Sequence, residues 1–126
     1  MLPRTILIAD DDRLLRESLS EVFAGMGCRT LQAGDGRSAI TCLTHDHCDL
    51  LLSDVDMPDM TGFQLLDWVQ MHPPGPATVL MSARADAALE RSAKATGALA
   101  LLTKPVPIST LTGLISSFFD THVSTH

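Results

Sequence analysis

Four places in the chain carry residues suited to charge chemistry, and each follows a short apolar run. Asp10-Asp11-Asp12 follows Thr5–Ala9, and Asp54 follows Leu50-Leu51-Leu52-Ser53. Ser82 closes Ala77–Ser82, and Lys104-Pro105 follows Ala98–Leu102. Acids at the carboxyl ends of buried strands lie where open α/β sheets place their ligands. Carboxylates packed closely repel one another unless a cation or a proton neutralises them. Oxygen ligands of this kind suit Mg2+, which takes one or two carboxylates, keeps several waters and meets phosphate oxygens. Lys104 adds a point positive charge, and the Ser82 hydroxyl completes a ring of groups suited to a phosphoryl. A carboxylate can itself accept a phosphoryl group as an aspartyl phosphate, with the metal and the lysine offsetting charge on the transferred oxygens.

The elements that must position these groups are legible as an alternation. The apolar runs Thr5–Ala9, Cys28–Ala33, Asp49–Ser53, Ala77–Ser82 and Ala98–Leu102 have strand length and read as buried on both faces. Arg29, Thr30 and Gln32 make the second partly polar, as at a sheet edge. Between them lie helical stripes: Leu15, Leu19, Val22, Phe23 and Met26; Ala39, Ile40 and Leu43; Leu65, Leu66 and Val69. Gly25 and Gly27 stop the first helix, and Pro73-Pro74-Gly75-Pro76 ends the third. The segment Asp86–Thr96 is Ala-rich with a weak stripe, whereas Leu111, Leu114, Ile115, Phe118 and Phe119 form a strong one. Five strands alternating with five helices predict an α/β fold, a parallel sheet covered on both faces.

Bulk properties narrow the class. The 126 residues, 45% hydrophobic, suit a single domain spanning 1–126, with a core from about residue 5 to 119 and a polar tail at His122–His126. The net charge of −6 argues against direct nucleic-acid binding. Cys28, Cys42 and Cys48 are odd in number and lack metal-ligand spacing, so free thiols in a reducing compartment are expected. No apolar run approaches a membrane span, and the N-terminus does not read as a signal peptide, which together predict a cytoplasmic protein. His45-Asp46-His47-Cys48 superficially suggests zinc but sits in a predicted turn without a second ligand pair. Asp12 reads as a helix N-cap.

Taken in order, these motifs resemble the receiver domain of bacterial two-component response regulators over nearly the whole chain. The resemblance rests on the acidic pair Asp10 and Asp11, on Asp54-x-x-Met57-Pro58-x-x-x-Gly62, on Ser82-Ala83 and on Lys104-Pro105. It implies a doubly wound, flavodoxin-like sheet of order 2-1-3-4-5. Asp54 would accept a phosphoryl group from a histidine kinase or phosphotransfer protein, acting as a phosphoacceptor rather than as a turnover enzyme. Asp11 and Asp54 would bind Mg2+ directly, Asp10 through water and Asp56 through its backbone carbonyl. Ser82 would swing to meet the phosphoryl, Lys104 would pair with it, and the Lys104–Pro105 peptide would be cis. Leu101 takes the switch position, usually aromatic, and Val106 stands where Phe is common. The face of helix 4, strand 5 and helix 5 would switch conformation and could support a homodimer.

From their places two residues beyond Asp54 and Ser82, Asp56 and Arg84 are expected to pair across the site mouth and modulate phosphoryl lifetime. Two other readings compete. One is a degenerate receiver that binds partners without phosphorylation, which Leu101 and Val106 would permit. The other is a haloacid-dehalogenase-type phosphatase using Asp54 and Asp56 as nucleophile and acid/base. That family places such a pair after its first strand and carries a cap domain; this chain does neither.

Overall fold

The computed structural model describes residues 3–122, with side chains through residue 120. Its elements run β1 (Thr5–Ala9), α1 (Arg13–Gly25), β2 (Arg29–Ala33), α2 (Gly36–His45), β3 (Leu50–Asp54), α3 (Gly62–Met71), β4 (Ala77–Ser82), α4 (Ala87–Ala95), β5 (Ala100–Thr103) and α5 (Ile108–His122). All strand pairs are parallel, in the order β2-β1-β3-β4-β5, the order expected. Residues 123–126, most of the predicted polar tail, lie outside the described residues.

Period-two alternation sorts the strand residues onto two faces. Ile6, Ile8, Leu50, Leu52, Val79 and Met81 face α1 and α5, where they meet Leu19, Phe23, Leu111 and Ile115. Leu7, Ala9 and Leu51 face α2 and α3, against Ala39, Leu65 and Val69. Leu80 meets Leu66 of α3 and Ala93 of α4. Each fully buried large side chain contributes roughly 1.5–3 kcal/mol. A one-residue slip of β1 or β3 would exchange their two buried faces, so the packing holds the register. That register sets the acidic strand ends side by side. β2 is an edge strand, with Arg29 and Gln32 exposed.

Three strands differ in their bounds from the sequence expectation. Pairing of β3 with β4 runs on to Asp54↔Met81, so Asp54 is the last strand residue and not the first of the loop. β5 starts at Ala100, because Ala98 closes α4: its amide donates to the Ala93 carbonyl (3.0 Å) after Gly97 turns the chain at φ +89°. β2 likewise begins one residue late, at Arg29. α4 buries only Ala93, as its weak stripe implies. Among the described residues no helix is long and apolar enough to cross a membrane.

Candidate functional site

Asp10 leaves β1 and is held from every side. Its amide donates to the Ala33 carbonyl (3.0 Å), and its own carbonyl accepts from Arg16 Nη1 (2.7 Å). Its Oδ1 accepts from the Asp12 amide (2.9 Å). The residue is fully buried. Asp12 caps α1, accepting from the Leu15 amide, while Asp11 remains exposed.

Asp54 is 6% exposed. The chain after it must turn sharply, and Gly62 allows this: a Cβ there would lie 2.6 Å from the Asp54 carbonyl oxygen. The Gly62 amide donates to the Val55 carbonyl (2.8 Å), and Thr61 and Gln64 form a capping box that starts α3.

Lys104 follows β5; its amide donates to the Ser82 carbonyl (2.9 Å), and the Lys104–Pro105 peptide is cis. Its ammonium lies 2.7 Å from Asp10 Oδ2 and 3.3 Å from Asp54 Oδ2. One cation thus serves two buried carboxylates. Burial, followed by the Asp10 charge, raises the Asp54 pKa against the opposing pull of Lys104. Burial alone would lower the Lys104 pKa; hydrogen bonding and charge from Asp10, then Asp54, outweigh it and raise it. Ligand atoms of Asp10, Asp11 and Asp54 lie within 4.8 Å of one another. These three carboxylates are an all-oxygen donor set, and exposed Asp11 leaves one side open to water and phosphate. They fit a hard divalent cation such as Mg2+.

The remaining expected residues lie on adjoining strand ends and loops or in the apolar packing. Ser82 is buried one position past Met81, the register partner of Asp54, and its Oγ accepts from the Arg84 amide (3.1 Å). Arg84 Nη2 stands 3.6 Å from Asp56 Oδ1, both side chains largely exposed. Leu101 pairs with Leu80 and packs, partly buried, with Val55 and Leu66. Val106 packs against the α1–α5 core. His45, His47 and Cys48 form no metal cluster; the acidic trio is the one such group among the described residues.

Sequence reasoning missed Arg16, whose hold on the Asp10 carbonyl bends back across the β1–α1 turn. It also missed Asp59, whose carboxylate accepts from the Gly36 and Arg37 amides of α2 at 2.8 and 2.9 Å. The Thr61-x-x-Gln64 capping box was readable from its spacing. No local signal marks the other two.

Comparison with known proteins agrees with this geometry. A family profile described as the response regulator receiver domain matches residues 6–116. Sporulation initiation phosphotransferase F of Bacillus subtilis is 30% identical over 118 residues, covering 94% of this chain and 95% of that protein. The probable transcriptional regulatory protein TcrX of Mycobacterium tuberculosis is 36% identical over 107 residues, 84% of this chain but 45% of that protein. The regulatory protein AtoC of Escherichia coli is matched over only 23% of its length. Among solved structures, chemotaxis response regulator CheY4 of Vibrio cholerae superposes with a TM-score of 0.84 at 27% identity, covering 92% of this chain and 98% of that one. A receiver domain from Methanospirillum hungatei gives 0.89 at 25% identity, covering 95% and 96%. Fold, strand-end acids and these relatives agree: the chain belongs to the response regulator receiver domain family.

Proposed function

We propose that this receiver domain is phosphorylated on Asp54, and that it relays a signal from a histidine kinase or phosphotransfer protein in the cytoplasm. The observation that carries the reading is the convergence of Asp10, Asp11 and Asp54 on one sheet edge with Lys104 bridging two of them.

The reaction asks little covalent chemistry of the protein and much positioning. An Asp54 carboxylate oxygen attacks phosphorus as the phosphorus–nitrogen bond of the donor breaks. The departing imidazole keeps the bonding pair and is neutral once a proton sits on its ring. Asp54 is restrained for this attack by the β3–β4 pairing and by the backbone of Gly62 behind it. Asp11, Asp54 and the Asp56 carbonyl, with Asp10 behind, would hold a divalent cation, which would supply charge stabilisation to the phosphoryl oxygens. Lys104, already within 3.3 Å of Asp54, moves its ammonium onto a phosphoryl oxygen. Ser82 leaves the Arg84 amide to donate to another. Ser82 and Leu101 lie on the paired strands β4 and β5, and a rotamer change of Leu101 carries the rearrangement toward the α4–β5–α5 face. That face is where a second copy of the chain could dock.

Intact mass after incubation with Mg2+ and acetyl phosphate tests the reading. One phosphoryl adduct is expected, absent from Asp54→Asn and from a metal-free control. No adduct on folded wild-type protein would favour the degenerate receiver that works by binding alone.

A further inference from the structure

The first amides of a helix have no partner within it. In α2 two carboxylates supply them. Asp35, the N-cap, accepts from the Ser38 amide at 2.8 Å. Asp59, 23 residues beyond Gly36, accepts from Gly36 with one oxygen and from Arg37 with the other, at 2.8 and 2.9 Å. The positive end of the helix favours this charge, and the two amide donors, Gly36 first, hold the Asp59 carboxyl below its ordinary range. Gly36 also leaves room for the neighbouring loop residue, since a Cβ there would collide with the Met60 side chain.

Asp59 lies in the loop between the phosphoacceptor and α3. The ends of that loop are tied: Asp56 bridges Thr61, and Gly62 presses on the Asp54 carbonyl. Between them Asp56, Pro58 and Asp59 are exposed, with only the partly buried Met57 and Met60 reaching the core. The Asp59 carboxylate is therefore the polar anchor of an otherwise lightly held loop. Resting on the phosphoacceptor reading above, we propose that Asp59 is a positioning residue for phosphoryl transfer. By clamping the loop to the first turn of α2, it fixes the Asp56 carbonyl beside Asp54. Asp59 touches neither cation nor phosphoryl, and α2 and the phosphoacceptor loop move as one unit.

The test uses Mn2+ as the metal probe, its free ion counted by electron paramagnetic resonance, on the whole chain. Asp59→Ala should weaken Mn2+ binding by about tenfold or more, as loss of a supporting partner does in other metal sites. Its adduct formation from acetyl phosphate should slow at limiting metal and recover at high metal. Asp59→Asn, which keeps one acceptor oxygen, should fall between it and wild type. Asp35→Ala, which uncaps the same helix without touching the loop, should lower the melting midpoint and leave Mn2+ binding unchanged. Wild-type affinity in both Asp59 variants, or equal weakening in Asp35→Ala, would overturn the proposal. Failure of wild-type protein to bind Mn2+ at all would instead overturn the site reading on which it rests.

Discussion

Lys104 and Asp10 are 94 residues apart in sequence, yet the ammonium donates to the fully buried carboxylate at 2.7 Å. This contact makes Lys104 the resident counter-charge of the acid cluster. Replacing it should separate its two roles. In Lys104→Met a competing cation is gone, so Mn2+ should bind no more weakly than to wild type. Without metal the two buried carboxylates repel, so the melting midpoint should drop and Mg2+ should restore more of it than it adds to wild type. Adduct formation from acetyl phosphate should slow by roughly 10²-fold, the usual scale for losing one charge-stabilising donor. Wild-type adduct kinetics in this variant would remove Lys104 from the reaction.

The Arg84–Asp56 pair is long, at 3.6 Å, and solvent-exposed. Pairs of that kind add little to stability. Any function must therefore be kinetic. Arg84→Ala should leave the melting midpoint unchanged and shorten the half-life of the phosphoryl adduct severalfold, because water then reaches Asp54 more freely. Agreement of the two half-lives within error would rule the pair out as a modulator.

Gly62 and Gly113 make a matched pair for a packing test. A Cβ at residue 62 would meet backbone atoms 2.6–3.2 Å away, none of which can rotate aside. Gly62→Ala should cost about 2–3 kcal/mol in urea denaturation. Gly113 lies in α5, and a Cβ added there would have nothing within 4 Å. Gly113→Ala should stabilise by about 0.5–1 kcal/mol through helix propensity. Equal effects would mean that the turn after Asp54 can relax.

Burial is the main cause that pushes the Cys48 thiol from its ordinary 9.0 up to about 11. The folded value lies above the unfolded one, so its contribution is intact below pH 9 and is lost as pH rises toward 11. The loss is about 2–3 kcal/mol. Cys28 and Cys42, also raised chiefly by burial, act in the same direction. Urea midpoints at about pH 7.5 and about pH 10.5 should show the fall, and Cys48→Ala should show less of it. Cys48 should also be the last of the three to react with iodoacetamide. An undiminished alkaline loss in Cys48→Ala would assign the sensitivity elsewhere.

Much of the architecture is local information. Leu50-Leu51-Leu52 reads as a strand buried on both faces, and Leu19 with Phe23 reads as a helix stripe, because period and polarity are set within a few residues. Asp12 as a cap is equally local, since a carboxylate and an amide three residues on suffice. Polar Arg29 and Gln32 mark β2 as an edge without reference to any neighbouring strand. The chemistry-bearing residues were legible as types at strand ends.

Their mutual geometry was not. That Lys104 bridges Asp10 and Asp54 depends on the β1–β3, β3–β4 and β4–β5 registers acting together, and each register is set by packing across residues far apart in sequence. The one-residue shift of β3 onto Asp54 came from its pairing with Met81, which no property of Asp54 predicts. Asp59 and Arg16 looked like ordinary charged residues in a turn and on a helix. What assigns them work is the placement of α2 against one loop and of the Asp10 carbonyl against another. Alone, then, the sequence determined the strands, the helices and the kinds of groups at the sheet edge, because propensity and periodicity act over a few neighbours. Which groups meet, and at what distance, only the tertiary structure decided, because hydrogen bonds and charge pairs act over about 3 Å between segments that only the folded sheet brings together.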